Sequence, residues 1–189
     1  PWILDLTPGQ SLIEYLLRQG FDVFMVDWGV PRPEGKRLRL EDYVLDFMPR
    51  CLEEVQKATG EPDYTVLGYC MGGLFGLMYK GLLHDAPVAN LVCAATPVDM
   101  EGMGLFRSWS DPRFFDADRM VDTMGNIPPD LMLRSFEMLR PLERWVSYVR
   151  LLDNLWDPMF VYGYRIMHKW TNEQIPFPGE AYRQFMREL

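Results

Sequence analysis

The sequence predicts an α/β fold, a parallel sheet with crossover helices over residues 1–99 and a helical layer over residues 100–189. Three observations predict it. Short apolar runs alternate with helix-period stretches as far as Pro97; no run beyond Pro97 reads as a strand; and the third apolar run passes through "GYCMGG" (68–73) straight into a helix.

"WILDL" (2–6) is a short apolar run stopped by the turn cluster "TPGQ", and so predicts a buried strand. "SLIEYLLRQG" predicts a helix with Ser11 as N-cap, Glu14 three residues on and Gly20 closing it. "DVFMVDW" (22–28) predicts a second strand. Residues 40–60 place Tyr43, Val44, Phe47, Met48, Leu52 and Val55 at helical spacing, with Pro49 set to kink the helix. "YTVLG" (64–68) predicts the third strand, residues 71–83 a helix, and "VANLVCAATP" (88–97) the fourth strand. After Pro97 come broken helices rich in Met, Trp, Phe and Pro, such as "DLMLRSFEML" and "WVSYVRLL", which predict a mobile cap over the sheet.

Composition narrows the function classes. Of 189 residues, 48% are hydrophobic and 24% charged, a globular balance with room for one sizeable core. No apolar run approaches the roughly 20 residues that cross a bilayer, and no secretory pattern opens the chain. The sequence starts at Pro1 inside an apolar run, so an internal stretch of a longer chain is expected. A net charge of −8 argues against nucleic-acid binding. The basic run "RPEGKRLR" (32–39) reads as a solvated loop rather than an anion-steering patch. Three unpaired-looking cysteines and two histidines make neither a disulfide framework nor a metal set, and point to a reducing, cytoplasmic setting.

Gly68-Tyr69-Cys70-Met71-Gly72 between a strand and a helix is a nucleophile elbow. Glycines two positions either side are expected because a Cβ there would strike the neighbouring strand and helix. The following helix points its N-terminus at Cys70 and favours the thiolate. The backbone N–H of Met71 is placed to donate to an oxyanion. A cysteine in a phosphate-binding loop would want a further glycine pattern or a Lys-Ser/Thr ending, and neither is present. Cys51 on an amphipathic helix and Cys93 inside a strand read as small hydrophobes.

With "ILDLTPGQSLIEYLLRQGFDVFMVDWGVP", "GYCMGG", "TPVDM" and "VDTMGNIPPDL" together, the chain resembles the catalytic subunit of polyhydroxyalkanoate (PHA) synthases, class III-like, over nearly its whole length. Dienelactone hydrolases carry a similar glycine-tyrosine-cysteine elbow; the "DTMGN" segment (122–126) in the long insertion makes the resemblance specific. It implies an α/β-hydrolase-type parallel sheet, partial here, with a helical cap. It implies that Cys70 carries the growing chain as a thioester and that the substrate is an (R)-3-hydroxyacyl-coenzyme A. No cofactor is implied, since coenzyme A is part of the substrate, and no metal. A homodimer, a second non-catalytic subunit, the growing polyester and a cytoplasmic granule surface are implied as partners and place.

The resemblance also marks what is missing. The fold orders its catalytic groups as nucleophile, then Asp, then His, each after a later strand. His84 ends the elbow helix, His168 lies in the insertion, and Asp99 and Asp122 do not fit that order, so no acid or base is assigned. The second oxyanion donor is not identified either. The 189 residues alone are expected to lack sustained turnover. Two other readings stay open: a cysteine-dependent hydrolase of dienelactone or thioester type, and a non-catalytic granule-associated homologue.

Overall fold

The computed structural model describes residues 2–99, 102 and 104–189; Pro1 and the expected start of the cap at Met100, Glu101 and Met103 lie outside the described residues. At its centre β3 (Tyr64–Tyr69) runs parallel to β4 (Val88–Ala94), from Tyr64 opposite Val88 to Tyr69 opposite Ala94. The connection is α3 (Met71–Leu82), which makes this a βαβ unit as the third and fourth apolar runs predict. Val66 and Gly68 turn to the helix side, where Gly76 lets Leu91 approach so closely that an added Cβ would stand 2.7 Å from its Cδ1. Tyr64 and Tyr79 tie strand to helix, and burial with that contact pushes the Tyr64 phenol well above its ordinary range.

The core lies beside this unit. Leu40, Tyr43, Val44 and Met48 meet Phe75 and Tyr79 of α3. Tyr43 stacks on Phe75 with centroids 5.5 Å apart, and Trp28 meets both rings edge-on. The helix predicted over 40–60 is present with an internal change of pitch: residues Asp42–Phe47 wind as a π-helix before α2 (Met48–Thr59). Pro49 explains this. It has no N–H to give, its ring would strike the carbonyl four residues back, and a widened turn just before it relieves both problems. Gly60, at φ 74°, closes α2.

The first two predicted strands differ from expectation. Residues Trp2–Leu4 form a single 3₁₀ turn, and β1 (Asp5–Thr7) folds back antiparallel on β2 (Gln10–Ser11). Pro8-Gly9 reverses the chain at once, Gly9 with φ 82°, so this run pairs locally instead of joining the parallel sheet. Residues 22–28 are not in a ladder: Phe24 and Met25 are half exposed, and only Trp28 reaches the core rings. A strand exists by virtue of its partner, and periodicity alone does not name one. Between them, α1 (Leu12–Arg18) starts as predicted, with the Ser11 hydroxyl accepting from the Glu14 N–H at 2.9 Å. The Glu14 carboxylate accepts from Gly9 N–H rather than closing a capping box on Ser11.

Beyond β4 the described residues form α4 (Leu105–Ser110), α5 (Ala117–Met124), α6 (Pro129–Leu139), α7 (Glu143–Asp153), α8 (Pro158–Asn172) and α9 (Gly179–Glu188). α9 is packed into the first half. Ala181, 1% exposed, belongs to the Tyr43 core cluster, and the Gln184 amide oxygen accepts from Leu40 N–H at 2.9 Å. α5 and α9 are joined by Ile127 and Phe177, which exchange backbone hydrogen bonds, and by Arg183, which reaches Asp118 and Asp122 at 2.6 Å each. Among the described residues no helix is long and apolar enough to cross a membrane.

Candidate active site

Cys70 stands where β3 ends and α3 begins, with φ 52° and ψ −120°, a backbone state that a side chain makes costly. Three hydrogen bonds hold it there. Its N–H donates to the Ala94 carbonyl on β4 at 2.9 Å, and its carbonyl accepts from Gly73 N–H at 3.0 Å and Leu74 N–H at 3.4 Å. The thiol side chain is exposed. The sheet thus fixes one side of the turn and the first turn of α3 the other.

The glycines around it do unequal work. A Cβ on Gly68 would fall into the backbone of Gly72 and Gly73, so strand and helix can approach only with glycine there. Gly72 differs from expectation: a Cβ would meet nothing within 4 Å. The second close approach is at Gly73, one residue later, where the Thr96 side chain occupies the place a Cβ would take. The helix begins at Met71, so Gly72 faces out of the packing and Gly73 faces β4's continuation. Thr96 is wedged so tightly that its hydroxyl oxygen is buried without a hydrogen-bond partner. Sequence reading passed over Gly73 and Thr96; the doubled glycine of "GYCMGG" was the available signal.

Met71 is the first residue of α3, so its N–H has no carbonyl one turn back to donate to. Cys93 sits on β4 with its sulfur 3.9 Å from the Gly73 carbonyl, and Cys51 is part-buried on α2. His84 lies in the turn beyond the far end of α3, about 18 Å of helix away from the elbow. His168 stacks on Tyr164 of α8 and meets the Asn172 amide. Asp122 is bound to Arg183, and Asp99 accepts from Gly102 N–H at 3.4 Å. Among the described residues, the side-chain partners of His168 and Asp122 lie on α8 and α9 and not at Cys70. Among the described residues no group of His, Cys, Asp and Glu has the makings of a metal site.

The "DTMGN" segment has a structural place. Asn126 donates from its amide to the Arg32 carbonyl at 2.9 Å and accepts from Gly179 N–H at 3.3 Å, so it links the basic loop to α9. Gly179 abuts the Gly125 carbonyl where a Cβ would fall.

Comparison with known proteins extends this geometry. The chain is 36% identical over 191 residues to the poly(3-hydroxyalkanoate) polymerase subunit PhaC of Haloferax mediterranei, covering all of this chain and 39% of that protein. It is 37% identical over 191 residues to the subunit of the same name from Allochromatium vinosum, covering 53% of it. With that from Synechocystis sp. it shares 36% identity over 195 residues, 51% of that protein. The chain therefore spans about half the length, or less, of these relatives, and it resembles them from end to end. The alpha/beta hydrolase fold family model matches residues 4–147, the part that holds the strand–thiol–helix turn. By that match, and by a parallel βαβ unit with a strained thiol at its apex, the chain belongs to the alpha/beta hydrolase fold family.

Proposed function

We propose that this chain is the elbow-bearing part of an acyltransferase that polymerises (R)-3-hydroxyacyl-coenzyme A into polyhydroxyalkanoate through a thioester on Cys70. The observation that carries the reading is Cys70 itself, exposed at φ 52° between β3 and α3 in a chain that resembles PHA polymerase subunits along its whole length.

The chemistry suits sulfur. The Cys70 thiolate attacks the substrate carbonyl, a new carbon–sulfur bond forms, and the bond to the coenzyme A sulfur breaks as that thiolate leaves. One thioester is exchanged for another at little free-energy cost. The Met71 N–H, at the head of α3, donates to the oxyanion formed on the way. The hydroxyl of the next unit then attacks the acyl carbon, Cys70 sulfur leaves, and the hydroxyl proton passes to a base. This proposal gives that base to neither His84 nor His168.

Helices α6–α8 act in this reading as the cover that limits water near the acyl-enzyme. Apolar exposure on these helices and the turns between them supports contact with a polyester and its granule surface: Leu142, Trp145, Trp156 and Met159 are each at least 70% exposed. A homodimer and a second, non-catalytic subunit complete the proposed assembly, in the cytoplasm.

The test offers hydroxybutyryl-coenzyme A both to the 189 residues and to a longer protein that carries them. Polymer from the longer protein, its loss in Cys70→Ala and a folded but slow Cys70→Ser are the expected results. Free hydroxy acid in place of polymer would make the protein a hydrolase. Polymer at the wild-type rate from Cys70→Ala would remove Cys70 from the mechanism.

A further inference from the structure

The cleft between α7 and α8 is lined by Tyr148 from α7 and by Tyr164, Arg165, His168 and Lys169 from α8, around a cavity of about 230 Å³. We propose that this cleft binds the phosphate group of a small ligand. Its composition is the first argument: two cations, an imidazole and two phenols line it, with no carboxylate, in a chain whose net charge is −8.

Spacing is the second. Residues 164, 165, 168 and 169 share one face of α8, so the helix itself holds the cationic groups together. Arg165 has no ion pair or side-chain hydrogen bond among the described residues, which leaves its planar fork available to two phosphate oxygens. Lys169 leans over the Trp2 ring at 5.6 Å and reaches Glu173 only at 3.7 Å, a weak exposed pair that an anion can displace. Arg144, one turn before Tyr148 on α7, is paired with Glu137 at 3.7 Å, so the carboxylate nearest this side of the cleft is already matched by a cation. The Tyr164 and His168 rings, inclined by 21°, form a flat wall beside the charges.

The phosphate has two chemical sources, a free phosphate anion and the phosphorylated end of coenzyme A. The site itself stands without the polymerase reading; only the second source rests on it. The experiment is calorimetric titration of the 189-residue chain with pyrophosphate and, separately, with coenzyme A. Wild type and a Lys36→Gln/Arg37→Gln control, altered in the other basic segment, are expected to bind pyrophosphate alike. Arg165→Gln/Lys169→Gln is expected to bind it at least about tenfold more weakly, and added salt to weaken wild-type binding. Amide and imidazole NMR shifts of wild type, expected to change along α8 around His168, give the same answer without a variant.

Absence of binding by wild type would overturn the proposal. So would equal losses in the two double variants, since bulk charge would then explain both. Tighter binding of coenzyme A than of pyrophosphate, lost in the Arg165/Lys169 variant, would support the site and assign it to the substrate end. Equal affinities would support it as a free-phosphate site. Pyrophosphate binding involves no residue of the elbow, so this result and the polymerase result fall independently.

Discussion

At the scale of single residues, the turn that presents Cys70 is defined by what cannot be added to it. Gly68→Ala would drive a methyl group into the Gly72–Gly73 backbone, and Gly73→Ala into Thr96. Each is expected to lower unfolding free energy by about 1–3 kcal/mol or more. Gly72→Ala meets open space within α3 and is expected to be neutral or to stabilise by roughly 0.5–1 kcal/mol. Urea denaturation of the three variants checks this ordering, and a Gly72→Ala as damaging as Gly73→Ala would contradict it. The elbow was legible in the sequence because a strand, a thiol and spaced glycines coincide. Which glycine is indispensable was not, since that depends on where Thr96 arrives from β4. A second residue-scale expectation concerns pH. The Arg113 guanidinium bonded to Asp111 holds that carboxyl down at about 2. A depressed carboxyl contributes stability above its unfolded pKa of about 3.9 and loses it as pH falls through 2. The pair is exposed, so the visible effect is the titration itself. Carboxyl-carbon NMR should place the Asp111 midpoint near 2, and a midpoint near 4 would show the pair to be absent in solution.

Between elements, Arg183 is the principal polar tie, since it bonds Asp118 and Asp122 on α5 and pairs with Glu180 on its own helix. Its side chain is 21% exposed, and its guanidinium is held above its already high range by those carboxylates. Arg183→Met is expected to cost about 1–2 kcal/mol, more than a single exposed pair, because it leaves acidic groups facing one another. The difference from wild type should shrink with added salt. A thermal melt unchanged by the substitution would show that the packing of Ala181, the Ile127–Phe177 bridge, Asn126, Gln184 and the Arg187–Asp118 pair hold α9 without Arg183. None of this was readable beforehand: Arg183 and Asp118 are 65 residues apart, and helical periodicity carries no record of such pairs. The helices of the first half were readable, because a cap such as Ser11 and the closing Gly60 act locally, whereas the caps Asp116 and Asp157 are seen only in the structure. The first two predicted strands differ for the complementary reason: one pairs antiparallel with its own continuation and the other forms no ladder. An apolar run marks a candidate strand, while its ladder and its burial both depend on a partner elsewhere.

For the whole molecule, protection against hydrogen exchange should divide unevenly. Strands β3 and β4, helix α3, residues 40–48 and helix α9 enclose the core and are expected to exchange slowest. Helices α6, α7 and α8 have no fully buried residue and are expected to exchange much faster, as a moving cover requires. Equal protection of α7 and β4 would mean a static layer. The turn that presents Cys70 is built from a contiguous stretch, residues 64–96, whose contacts with the strand edge and with Thr96 are all internal to it. A ribosome makes chains from the N-terminus, and nothing translated after Thr96 contributes to these contacts. The strained thiol can therefore be in place while the residues after 96 are still untranslated. The thiol is exposed in the folded chain as well, so oxidants reach the sulfur from the moment the turn closes, and a reducing environment becomes part of how the site survives.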